Sequence, residues 1–142
     1  PRYEEFLEIS KEKACNVRFW GYVKYEKMAA VLAKSDILIN SVVKNSSAGI
    51  INKIGDYLAA EKPMINTGSN GEFRNKVKND GFGLNVEAEN TSELMEAIEI
   101  LIDDEDLRRK MGRSARYIAE TQFDRKKTYK NILELTELVM NQ

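Results

Sequence analysis

Histidine is absent from this sequence. That absence removes Ser-His-Asp and Cys-His catalysis, histidine-ligated metals and an imidazole general base. Any chemistry must use carboxylates, amines, hydroxyls, backbone amides or a bound ligand. Cysteine occurs once, at Cys15, so no internal disulfide can form. A lone thiol among charged residues fits a reducing compartment, and a cytoplasmic location is expected. Neither sign of charge is in excess: the formal net charge is −1, which gives no broad pull toward nucleic acid or an anionic membrane. No nucleic-acid partner is therefore expected. Long apolar runs are missing too; none approaches the roughly 20 residues that span a bilayer, and no signal-peptide pattern opens the chain.

What remains is an ordinary globular composition, 42% hydrophobic and 32% charged over 142 residues, which suits one domain with one core, taken as residues 1–142. Tyr3, Phe6 and Leu7 recur at helical spacing within Arg2 to Lys13. Val17-Arg18-Phe19-Trp20 reads as a short strand stopped by Gly21. A helix over Tyr25 to Lys34 and a buried strand at Ile37-Leu38-Ile39 follow. Beyond a polar loop, Ile50 to Glu61 carries an apolar face of Ile50, Ile51, Ile54, Tyr57 and Leu58. Pro63 to Asn66 is the next strand, Glu72 to Lys78 a short helix, and Gly81 to Val86 a fourth strand. Asn90 to Glu93 resembles a capping box, opening a helix with Leu94, Ala97, Ile98 and Leu101. Two more helices are expected, over about Glu105 to Thr121 and Asp124 to Met140. Such alternation implies an α/β fold: a Rossmann-like parallel sheet with helices on both faces and a helical tail. A start on a helix rather than a strand leads us to expect an N-terminally truncated piece.

Ligands of open α/β sheets bind beyond the carboxyl ends of the strands, so the loops at Gly21 to Lys24, Asn40 to Gly49 and Asn66 to Gly71 are candidates. Ser46-Ser47-Ala48-Gly49 precedes a helix, where small side chains let a phosphate approach free backbone amides. Asn52, Lys53 and Asp56 share one face of that helix. Lys53 could neutralise a phosphate and Asp56 could accept from two sugar hydroxyls. Equally, Lys53 and Asp56 could be a solvated pair of little energetic weight. Trp20 and Tyr22 flank Gly21 and are either core aromatics or a base-stacking surface. The Asn66 to Gly71 loop either presents amides to a ligand or is a plain surface turn.

Laid in order, these segments resemble the C-terminal domain of family-four glycosyltransferases of the GT-B fold, in particular bacterial surface-polysaccharide transferases. The resemblance rests on Val17 to Val23, Lys34 to Ile39, Ile54-Gly55-Asp56-Tyr57-Leu58-Ala59-Ala60-Glu61-Lys62-Pro63-Met64-Ile65, the stretch Leu107 to Arg116, and Phe123. It implies sugar transfer from a nucleotide donor, usually with retention, without a tightly bound metal or any cofactor beyond the donor. UDP is preferred narrowly over GDP. The acceptor, a glycan or lipid-linked sugar, would bind an N-terminal domain that this chain lacks. A full-length protein would be free in the cytoplasm or peripheral to the inner membrane face.

The family's E-x7-E motif places its second carboxylate at Asp56, and the implied ribose contact carries there. Its first glutamate falls on Ala48, which cannot bind a hydroxyl, so the donor-sugar contact is unassigned. Phosphate contact carries to the Ala48, Gly49 and Ile50 backbone and to Lys53; Tyr22 and Val23 complete the candidate nucleotide-sugar-binding set. No residue is assigned a catalytic role. Two alternatives stay open: a non-catalytic nucleotide-binding or interaction domain, which Ala48 favours, and another GT-B enzyme such as a sugar-nucleotide epimerase. In that fold the last helix often returns toward the N-terminal domain. Tyr129, Ile132, Leu133 and Val139 would then be partly uncovered and could drive weak self-association.

Overall fold

The computed structural model describes residues 3–13, 16–46 and 53–140. Two helices, α1 (Tyr3–Glu12) and α2 (Tyr25–Lys34), precede an alternating unit of β1 (Leu38–Asn40), α3 (Ile54–Ala59), β2 (Met64–Asn66), α4 (Gly71–Asp80) and β3 (Gly83–Asn85). Helices α5 (Thr91–Asp103), α6 (Glu105–Gln122) and α7 (Arg125–Met140) complete the chain. The strands form one parallel sheet in the order β1-β2-β3. Its connections run through helices, as parallel neighbours require.

Sequence alternation within each strand decides which face meets which helix. Met64 joins Ile54 and Leu58 of α3, Phe73 and Val77 of α4, Phe82, and Ala115 and Ile118 of α6 in one buried cluster. Ile65, one residue on and therefore on the opposite face, packs with Val86, Ala97 and Leu101 of α5, and Met111 of α6. Each fully buried Leu, Ile or Phe side chain contributes on the order of 1.5–3 kcal/mol of transfer free energy. Helices thus cover both faces of a parallel sheet, the expected α/β architecture.

Local chemistry sets the helix starts. Asn70 accepts from Phe73 N–H, Asn90 from Glu93 N–H, and Asp104 from Leu107 N–H, each satisfying an amide of the first turn. Asn90 Nδ2 also donates to Glu93 Oε1, so the expected capping pair closes side chain to side chain. Gly81 ends α4 with φ 65°, a left-handed conformation that costs glycine least. Glu61, just past α3, adopts the same conformation at φ 59°.

Two expectations are corrected, and a third falls partly outside the described residues. Val17 to Trp20 is not a strand: residues 16–20 have no regular structure, and the described sheet has three strands, not four. β-propensity at these residues finds no neighbouring strand to pair with among the described residues, and a strand without a ladder is not stable alone. The α4 helix is longer than Glu72 to Lys78 at both ends, because Asn70 and Gly81 supply its caps. The helix expected from Ile50 is described from Ile54; its first residues, Ile50 to Asn52, lie outside the described residues.

Candidate functional site

All three strands end on asparagine, and the parallel register sets Asn40, Asn66 and Asn85 side by side. Asn40 Nδ2 donates to Asn66 Oδ1 at 2.8 Å, and Asn66 Nδ2 donates to Asn85 Oδ1 at 2.9 Å. Asn85 Nδ2 then donates to the Arg74 carbonyl at 2.8 Å. Backbone groups fix these orientations, since Gly68 N–H must donate to Asn66 Oδ1 and the Arg74 carbonyl can only accept. The amide row is therefore directional. It leaves Asn40 Oδ1 buried and without a hydrogen-bond partner.

The loops beyond the strands hang from this row. Thr67 Oγ1 donates to the Val42 carbonyl at 2.8 Å and accepts from Val42 N–H at 2.7 Å, clamping the chain after β1 to the chain after β2. Arg74 reaches from α4 to the Val86 carbonyl at 3.0 Å and to Glu87 Oε1 at 2.7 Å. Above these ends opens a cleft of about 760 Å³, bordered by Lys44, Asn45, Thr67, Ser69 and residues 87–92. The Asn66 to Gly71 loop thus uses its side chains to build the strand ends, while Ser69 faces the cleft.

Asp56 lines a different feature, a groove of about 140 Å³ between α2 and α3 that also includes Tyr25, Met28, Leu32 and Ala59. Helix α3 is seated by α6. A Cβ at Gly112 would stand 2.4 Å from the Glu61 carbonyl oxygen, so only glycine allows that approach, and Arg116 Nη1 donates to the Ala59 carbonyl at 3.0 Å. With Ile54 and Leu58 turned into the core, the half-buried Asp56 faces the groove, where its Oδ1 accepts from the Tyr25 hydroxyl at 2.9 Å. Among the described residues nothing else hydrogen-bonds this carboxylate.

Lys53 stands at the N-cap of α3, and its Nζ lies 5.5 Å from the centre of the Tyr57 ring. Burial pushes the Tyr57 phenol above its ordinary value by penalising the charged form. No ion pair joins Lys53 to Asp56; each has turned to an aromatic neighbour instead.

Tyr22 is 100% exposed and Val23 half-buried, while Trp20 is 43% exposed with the Lys27 ammonium 4.5 Å from its ring centre. The core alternative for Trp20 and Tyr22 fails. Ala48, Gly49 and Ile50 lie outside the described residues. The structure brings Asp56 near α2, with Lys53 at the start of the same helix; Tyr25 and the asparagine row were missed from the sequence. For the row a signal existed, since Ile39-Asn40, Ile65-Asn66 and Leu84-Asn85 repeat one apolar-Asn ending.

Comparison with known proteins identifies the fold and the family. The chain is 28% identical to an uncharacterized glycosyltransferase of Methanocaldococcus jannaschii over 98% of its own length, and it spans 36% of that relative. It superposes on the C-terminal domain of a glycosyl transferase group 1 family protein from Francisella tularensis with a TM-score of 0.71 and 18% identity, covering 86% of this chain and 62% of that one. Anabaena HepE, solved in complex with UDP, gives a TM-score of 0.80 at 18% identity, covering 94% and 36%. Sucrose-phosphate synthase from Thermosynechococcus elongatus gives 0.78 at 17%, covering 97% and 34%. These structural likenesses establish the GT-B C-terminal, Rossmann-like fold. The family model for glycosyl transferases group 1 matches residues 1–104. Since that match takes in all three strands, the Asp56 helix and α5, the chain belongs to the glycosyl transferases group 1 family.

Proposed function

We propose that this chain is the donor-binding domain of a glycosyltransferase, holding a nucleotide-diphosphate sugar for transfer to a glycan or lipid-linked acceptor. The observation that carries the reading is the Asp56 carboxylate. It is half-buried, seated by the core and, among the described residues, held on one oxygen only, and so retains acceptor sites for two vicinal hydroxyls. A ribose offers such a pair. Family membership supplies the reaction class, and the UDP found on Anabaena HepE supports a uridine donor. Lys53, able to swing from Tyr57, would meet the diphosphate together with the 48–50 backbone, and the exposed Tyr22 would lie against the base. With no histidine in the chain, the departing diphosphate is the natural acceptor of the incoming hydroxyl's proton, in keeping with a retaining transfer. Surface-polysaccharide assembly in the cytoplasm is the setting this chemistry suits.

Calorimetric titration of UDP and GDP tests the reading. Asp56→Ala should weaken binding by roughly ten- to hundredfold, the loss of hydrogen bonds to a charged acceptor, with little change in melting temperature. Unchanged affinity would remove Asp56 from the site. The Ala48 substitution favours a second reading, a domain that binds nucleotide without transferring sugar. A panel of donors, assayed for transfer, epimerisation and binding alone, separates the two.

A further inference from the structure

We propose that Tyr25 is a positioning residue for nucleotide binding, its hydroxyl fixing the Asp56 carboxylate and coupling the 21–24 loop to the ribose contact. The proposal rests on the donor-binding reading of Asp56.

Helix α2 buries no residue completely. What it shares with α3 is the shallow groove bordered by Met28, Ala29, Leu32, Ala59 and Ala60, whose apolar contacts are non-directional and would tolerate sliding. The Tyr25 hydroxyl on Asp56 Oδ1, at 2.9 Å and 31 residues apart in sequence, is directional. An ionised carboxylate can only accept, so the phenol is the donor, and this charge-assisted bond is stronger than a neutral one.

Two consequences follow from that single bond. Asp56 is held in one orientation before any nucleotide arrives, so less ordering remains to oppose binding. Tyr25 opens α2 directly after Gly21-Tyr22-Val23-Lys24, so anchoring its ring also sets where that loop stands relative to Asp56. Among the described residues only one of about four carboxylate lone-pair sites is used, which leaves room for both ribose hydroxyls. Tyr25 therefore supports the ribose site without occupying it.

The test compares UDP, or GDP if it binds more tightly, with its 2′,3′-dideoxy analogue on the protein carrying this chain. The readout is the ratio of the two affinities. Wild type should favour the ribonucleotide, and Asp56→Ala should bring the ratio close to one. Tyr25→Phe, which keeps the ring and removes the donor, should lower the ratio by roughly two- to tenfold, the range of one net hydrogen bond. Adding Tyr25→Phe to Asp56→Ala should change nothing more. A structural tie alone would weaken both nucleotides equally. A Tyr25→Phe ratio equal to wild type, with Asp56→Ala still collapsing it, would overturn the role of Tyr25 and leave the donor-binding reading standing. A wild-type ratio of one, or one that Asp56→Ala leaves intact, would overturn both.

Discussion

The central stretch from β1 to α6 and the flanking helices α1, α2 and α7 carry comparable apolar stripes but meet different fates. In the centre, Ile54, Leu58, Val77, Phe82 and Leu101 are sealed on the two sheet faces. On the flanks, Tyr3, Phe6 and Ile9 of α1 are exposed, α2 buries nothing fully, and every described α7 side chain is exposed. An amphipathic pattern therefore specifies a helix, whereas a covering surface specifies burial, and only the centre has one within the described residues. The candidate site straddles this divide, with Asp56 on a core helix and Tyr25 on a flanking one.

The sharpest way to break that comparison is by truncation. Phe82→Ala should cost about 3–5 kcal/mol, the transfer free energy of the ring plus the cavity left among Phe73 and Met64. Ile132→Ala on α7 should fall within about 0.5 kcal/mol of wild type, as exposed positions do. Urea unfolding of the two variants measures both. An equal loss at both positions would show that α7 has a cover.

Next in size is Asn66→Ala. It strands the Asn40 amide, the Gly68 N–H and the Asn85 carbonyl oxygen together, so the loss should reach the upper end of the about 1–3 kcal/mol for a buried unsatisfied group. Smaller than the Asn66 loss is a gain. Glu61→Gly relieves a left-handed backbone on a residue with a Cβ, and after the added unfolded-state entropy should stabilise by about 0.5–1 kcal/mol. A matching rise in urea midpoint confirms it; a fall would mean that the Glu61 side chain contributes more than its backbone costs.

Much of the fold was legible because local rules decided it. Helix α2 begins and ends where periodicity placed it, at Tyr25 and Lys34, and the Asn90–Glu93 cap formed around the expected residues. Val17 to Trp20 misled because strand propensity is only a licence; pairing requires a second strand that sequence windows do not reveal. Asp56 entered the candidate site only through family resemblance, since its spacing from Lys53 by itself fitted a surface ion pair. The contact with Tyr25 was illegible in principle, for it joins two helices across 31 positions with no periodicity to announce it.

The asparagine row has one more consequence, for how the sheet avoids misalignment. Strands of three residues carry little information, and β2 is buried at Met64, Ile65 and Asn66 alike. With apolar residues wanted on both sides, hydrophobicity alone would tolerate a slip of one position, which exchanges the faces of every side chain. The amides do not tolerate it: a slipped β3 would bring Leu84 against Asn66 and turn Asn85 toward α5, leaving polar groups stranded on both faces. Three asparagines, each closing a strand, thus act as an alignment key whose amide-to-amide bonds form in the observed pairing and are lost on a slip.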